Sequence, residues 1–104
     1  MQGLYRAIIS PEASSDLSAL HAYISRISPD NAAKMVERIL AGIESLRVLP
    51  HRTMFAGQSA KVRHPVRTLP VKPYVIYFRA LDDDKVIRIL TIRHGARLPP
   101  ETFD

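Results

Sequence analysis

Two side-chain types in this sequence carry usable chemistry, histidine and arginine, and their spacing excludes most of what they could do. An imidazole exchanges a proton near neutral pH, and there are four, His21, His51, His64 and His94. They are scattered, no two at a zinc-binding interval, and a histidine taken alone is more often a surface or capping residue than a catalyst. His94 differs because it stands in Arg93-His94-Gly95-Ala96-Arg97. There a strand ends at a glycine that permits a sharp turn, so side chains can converge at a sheet edge. Arginine binds carboxylate and phosphate through a planar fork. Arg67, Arg79, Arg88 and Arg93 fall in segments that read as strands, where alternation sends some to each face, so the four cannot form one patch. The plain reading is solvated arginines that keep a sheet edge soluble. As a group, with Arg63 and Arg97, they are candidate contacts for an acidic peptide or a nucleic-acid backbone. Tyr74, Tyr77 and Phe78 could stack on bases, but without an aromatic-basic RNA-recognition pattern they read as core. No Gly-rich phosphate loop and no Gly-x-Ser-x-Gly is present. No cysteine is present either, which removes thiolate metal sites and disulfides. Neither a metal nor a cofactor is expected.

The elements that must position these residues are legible in the spacing. Leu4 to Ile9 reads as a first strand. Ser10 can cap a helix opened by Pro11, whose missing N–H would have no partner there, with Glu12 and Asp16 near its positive end. Ala13, Leu17, Leu20, Ile24 and Ile27 make one apolar stripe. Ser28-Pro29-Asp30 repeats the start signal, so an αα-hairpin is expected. Ala32, Val36, Ile39, Ile43 and Leu46, widened by Met35 and Leu40, form the second stripe, which stops at Leu49-Pro50. Residues 51–64 show no period and read as a loop or irregular edge strand. Val66–Val71, Tyr74–Ala80 and Lys85–Arg93 then read as three antiparallel strands, joined at Lys72-Pro73 and Asp82-Asp83-Asp84. Pro70 argues for an edge or kinked strand, since it cannot donate to the ladder. The order β-α-α-β-β-β gives an α+β fold in which one sheet face buries both helix stripes.

The 104 residues suit a single domain, 1–104, with one core. No apolar run approaches the roughly 18 residues of a membrane span, and the first residues lack a signal-peptide pattern, so a cytoplasmic protein is expected. The formal net charge is +5. Residues 1–50 hold five Lys/Arg against five Asp/Glu, and residues 51–104 hold ten against five. From His51 to Leu81 there is no acidic residue. Such a segment attracts polyanions or acidic proteins.

Tyr5–Ile9 followed by Ser10-Pro11-Glu12-Ala13, Asp16-Leu17, Tyr23-Ile24, Ser28-Pro29, Ile43–Leu49-Pro50, Val66-Arg67-Thr68-Leu69, Tyr74-Val75-Ile76-Tyr77 and His94-Gly95-Ala96-Arg97 together resemble ParE-type toxins of the RelE/ParE superfamily, also known as plasmid stabilisation proteins. The resemblance spans residues 4–97. It implies a helical hairpin on a small antiparallel sheet and a type II toxin held inactive, in a hetero-oligomer, by a ParD-like antitoxin. An amphipathic helix lying beside the αα-hairpin is the expected mode for that partner. ParE-like members poison DNA gyrase, whereas RelE-like members cut messenger RNA on the ribosome with basic residues and often a C-terminal tyrosine. For the second activity Arg67, His94 and Arg97, with Arg93, are the candidate catalytic residues. Where RelE-like toxins carry arginine after the tyrosine, this chain has Val75, and its tail has Phe103 with no ionisable hydroxyl. Cleavage needs a proton acceptor as well as cations, and the expectation is therefore a binding inhibitor.

Overall fold

Ser10 and Ser28 set the helical hairpin. The structure is a computed structural model that describes residues 4–56, 64–97 and 100. The first strand, β1 (Arg6–Ile9), ends at Ser10, whose Oγ accepts the Ala13 N–H at 3.1 Å and opens helix α1 (Pro11–Ser25). The same hydroxyl donates to the Leu90 carbonyl at 2.9 Å, so one buried serine ties the helix start to the sheet. Ser28 Oγ accepts the Asn31 N–H at 3.2 Å at the start of α2 (Pro29–Ser45). Both helices carry proline in the first turn, where no N–H is missed.

After α2 the backbone of Leu49 turns into the left-handed region, φ 53°, and a single 3-10 turn, Pro50–Arg52, follows. Arg52 caps the end of α2, its guanidinium donating to the carbonyls of Ser45, Val48 and Leu49. Then come β2 (Met54–Phe55), β3 (Val66–Val71), β4 (Tyr74–Leu81) and β5 (Val86–His94). The aperiodic segment thus contains a two-residue edge strand.

The sheet order is β1-β5-β4-β3-β2. All pairs are antiparallel except β1 with β5, which run parallel, so the sheet is mixed. The parallel pairing of β1 joins residues some 80 positions apart, and no local pattern encodes its direction. Pro70 sits on β3 beyond the reach of β2, where its missing N–H costs the ladder nothing. A bulge interrupts β4–β5: Tyr77 faces Thr91 and Phe78 faces Ile89, leaving Leu90 as the extra residue. The carboxylate of Asp16 on α1 accepts from the Thr91 hydroxyl (2.6 Å) and the Ile92 N–H (2.9 Å), satisfying the β5 edge where β1 has ended.

The core lies between the helices and one sheet face: Ala13, Leu20, Met35, Ile39, Ile43 and Leu46 against Ile76, Phe78, Ala80, Ile87, Ile89 and Ile92. Gly42 lets α2 approach β3 closely, for a Cβ there would stand 3.0 Å from Val71 Cγ2. Two expected stripe residues depart, Leu40, which is 43% exposed on α2, and Ile27. Ile27 is 85% exposed, because the chain leaves the helix at Ser25, with the Ile27 and Ser28 N–H groups both turning back to the Ile24 carbonyl. On the opposite sheet face Val66, Tyr77 and Leu90 form a smaller buried cluster with Ala56 and Val75 against it. Among the described residues no helix is long and apolar enough to cross a membrane.

Candidate functional site

None of the five strands contains an aspartate or glutamate, so every charged side chain the sheet carries is basic or imidazole. Register decides where each points. Arg67 pairs with Phe78, a core residue, and so lies on the helix side of β3. It is only 9% exposed, donates to the carbonyls of His51 (3.4 Å) and Thr53 (2.9 Å), and its guanidinium carbon stands 4.4 Å from the centre of the Phe55 ring. This arginine holds the 3-10 turn and β2 against the sheet.

Arg79 and Arg88 are directly opposite one another on β4 and β5, on the face away from the helices, where Arg79 also faces Val66. Like charges placed so are unfavourable unless an anion or an internal acceptor offsets them. Arg79 has such an acceptor in the His64 carbonyl. Arg88 makes no ion pair or hydrogen bond among the described residues. Arg93 pairs with Val75 and belongs to this same face. Three of the four arginines on β3, β4 and β5 therefore share one face. Alternation alone sends Arg67, at odd parity to the others across the ladder, to the core side.

His94 ends β5, paired with Tyr74. The two rings meet edge to face at 5.5 Å and 75°. The His94 Nδ1 accepts the Ala96 N–H at 3.0 Å, which places the proton of the neutral ring on the outward Nε2. The following turn is tied down by the Gly95 N–H to the Pro73 carbonyl (2.7 Å) and the Arg97 N–H to the His94 carbonyl (3.0 Å). A Cβ at Gly95 would stand 3.1 Å from that Pro73 oxygen, which is why glycine suits the turn. Burial, with the nearby Tyr23 phenol adding to it, pushes the Tyr74 hydroxyl above its ordinary value. Arg97 is exposed beside this cluster. Arg63 and Phe103 lie outside the described residues.

The far end of the sheet carries a network that no spacing in the sequence signals, because its members are 31 and 77 positions apart. Asp82 Oδ1 accepts from the Tyr5 hydroxyl at 2.8 Å and meets His51 Nε2 at 2.9 Å. The Lys85 ammonium stands 4.9 Å from the centre of the Tyr5 ring. Burial alone would raise the Asp82 carboxyl; hydrogen bonds from Tyr5 and His51, and the charges of His51 and Lys85, hold it below its ordinary value. Burial first, then the Asp82 contact, raises the Tyr5 hydroxyl.

Arg67 is thus engaged inside the fold, while His94 and Arg97 stand at the other end of the strands. The register puts Arg67 and His94 two strands apart and four positions along, roughly 17 Å from strand spacings of about 4.8 Å and 3.4 Å.

Residues 7–99 match the family described as the ParE toxin of the type II toxin-antitoxin system, parDE. Toxin RelE2 of Caulobacter vibrioides is 37% identical over 83 residues, 80% of this chain and 86% of that protein. The solved structure of the chromosomal ParDE system from P. aeruginosa superposes with a TM-score of 0.67 at 28% identity, covering 88% of this chain and 96% of that one. The archaeal RelE–RelB complex of Pyrococcus horikoshii shares the fold at 17% identity and a TM-score of 0.66, over 91% of this chain and 99% of that one. With its whole helical hairpin and all of its mixed sheet except Arg6 inside the matched span, the chain belongs to the ParE toxin family of type II toxin–antitoxin systems, within the ParE/RelE superfamily.

Proposed function

We propose that this toxin acts by binding, with DNA gyrase as its target in the cytoplasm, and that a ParD-like antitoxin encoded beside it neutralises it. The observation that carries the reading is the separation of the ribonuclease candidates. Arg67 is spent on backbone carbonyls, and His94 lies roughly 17 Å away by register, with Arg97 in the turn that follows it. A cleaving site needs its cations and its proton acceptor within hydrogen-bond reach of one phosphate. An acid-free face carrying Arg79, Arg88 and Arg93 suits a binding surface instead, since charge there raises association rate and selects acidic partners.

The test pairs induced expression with a supercoiling assay on purified gyrase. Growth arrest together with lost supercoiling is expected; arrest with intact gyrase activity would sink the gyrase assignment. A RelE-like, ribosome-dependent ribonuclease is the second reading, favoured by the relative named Toxin RelE2 and by the exposed His94 ring. It requires new RNA ends in arrested cells and their loss in His94→Ala.

A further inference from the structure

The strand that ends the sheet at β1 keeps an open edge. In its parallel ladder with β5 the Arg6 N–H reaches the Lys85 carbonyl and the Ser10 N–H the Ile89 carbonyl, so the even-numbered residues of β1 face β5. Alternation turns the N–H and C=O groups of the odd-numbered residues outward. At Tyr5 both outward groups are taken, the N–H by the Arg47 carbonyl at 3.0 Å and the carbonyl by Arg47 Nε at 2.8 Å. Position 11 is a proline already in α1, with no N–H to offer. Between these two stops the outward groups of Ala7 and Ile9 have no partner among the described residues. Helix α1 packs chiefly on β5 and α2, and leaves this edge uncovered.

The edge is also apolar, with Leu4, Ile8 and Ile9 exposed by 50%, 40% and 37%. At the opposite edge β2 is two residues long, and β3 beyond it holds Pro70, which offers an incoming strand no donor. β1 has neither a proline nor a bulge, and Arg6 is its one charge. Its free groups, at positions 7 and 9, are symmetric about Ile8. A second β1 laid antiparallel about a twofold axis at Ile8 therefore satisfies them all. Ala7 of each copy exchanges both backbone hydrogen bonds with Ile9 of the other, and Ile8 meets Ile8 in the closer, non-hydrogen-bonded pair. The same register sets Arg6 opposite Ser10 of the other copy, two residues from its Glu12, and keeps the two Arg6 side chains from facing each other. Arg6 and Glu12 are exposed, and neither forms an ion pair among the described residues.

We infer that β1 is a self-association edge: two copies of this chain pair antiparallel through Ala7, Ile8 and Ile9 and join their sheets into one, with Arg6 and Glu12 setting the register. A strand from another protein would find the same backbone groups. Only a second copy brings with it the Ile8 contact and the two Arg6–Glu12 charge pairings. The inference goes beyond the toxin reading and does not rest on it.

Sedimentation of the purified full chain over a concentration series is the test, and a dimer is expected. Ile8→Lys and Ile8→Glu, at an exposed position, should each weaken it at least about tenfold, since like charges then stand directly opposite across the twofold axis. Mixing the two variants should restore the dimer, because lysine then faces glutamate; a misfolded variant is not rescued in this way. Met54→Lys, exposed on the opposite edge strand, should leave the dimer unchanged. Hydrogen exchange should show the Ala7 and Ile9 amides gaining protection with concentration, while the Tyr5 amide, bonded to Arg47, is protected throughout. A wild type that stays monomeric at its highest soluble concentration overturns the inference. So does a dimer that survives both Ile8 variants, one lost to Met54→Lys, or a mixture of the two Ile8 variants that stays monomeric. Amides at 7 and 9 protected only after the antitoxin encoded beside the chain is added would assign the edge to that partner and overturn it too. None of these readouts uses toxicity, so the toxin reading stands or falls separately.

Discussion

Arg67→Ala separates a structural arginine from a functional one. The substitution removes a 2.9 Å and a 3.4 Å hydrogen bond to the Thr53 and His51 carbonyls and the 4.4 Å contact with Phe55. A charge-assisted hydrogen bond contributes about 1.5–3 kcal/mol, the longer one much less, and the cation–π contact about 1 kcal/mol. The His51 carbonyl on the 3-10 turn and the Thr53 carbonyl just past it also lose their donor. The sum is about 3 kcal/mol, against a total stability of about 5–15 kcal/mol for a domain of this size. For roughly 100 residues that corresponds to a fall in Tm of about 12–20 °C. Urea unfolding measures the loss, and hydrogen exchange should show early opening at Met54 and Phe55, whose strand Arg67 holds. Arg88→Ala, with no partner among the described residues, should change stability by less than about 0.5 kcal/mol. Should Arg67→Ala retain wild-type stability while toxicity disappears, the guanidinium acts on the target and the structural reasoning fails.

Ser10→Ala deletes a helix cap and a buried bond to the Leu90 carbonyl at the bulge. It should cost about 2 kcal/mol in denaturant unfolding, whereas Ser28→Ala, which loses only an exposed cap, should cost about 1 kcal/mol. Asp82 ties stability to pH. Its folded pKa lies below the ordinary 3.8, so its contribution is fully present above that value and drains away as pH falls through the depressed one. Stability curves of wild type and Asp82→Asn should therefore differ most above pH ~4 and converge in stronger acid; a gap that stays constant to the lowest pH would refute the assignment. Tyr5 acts at the other extreme. Its raised pKa keeps its contribution intact below pH 10.0 and surrenders it as pH rises further, so Tyr5→Phe should flatten the alkaline limb of the same curve.

Short-range order was written in the sequence. Ser10-Pro11 and Ser28-Pro29 announced both helix starts because a capping hydroxyl and a proline act on atoms within three residues. Alternation located β3, β4 and β5, and the Asp82-Asp83-Asp84 turn, since pleating and solvation are also local. The family resemblance was legible for the same reason, being a series of short fragments in order. Ile27 lies outside the core although it fits the stripe, because periodicity continues past the point where the chain must leave the helix to reach Ser28.

What tertiary structure alone decided is the company each side chain keeps. Arg67 and Arg79 look alike as strand arginines, and only the ladder sends the first to the helix side beneath Phe55 and the second to the face of Arg88. The parallel β1, the Asp16 clamp on Thr91 and Ile92, and the meeting of Tyr5, His51 and Asp82 all join residues far apart in the chain. Sequence distance carries no information about such pairs, because their energy exists only once the core has closed and set the register. Composition and local pattern thus determined a basic α+β fold, and the resemblance added its family; which arginines remain to meet another molecule was decided by the packing of two helices on one face of the sheet.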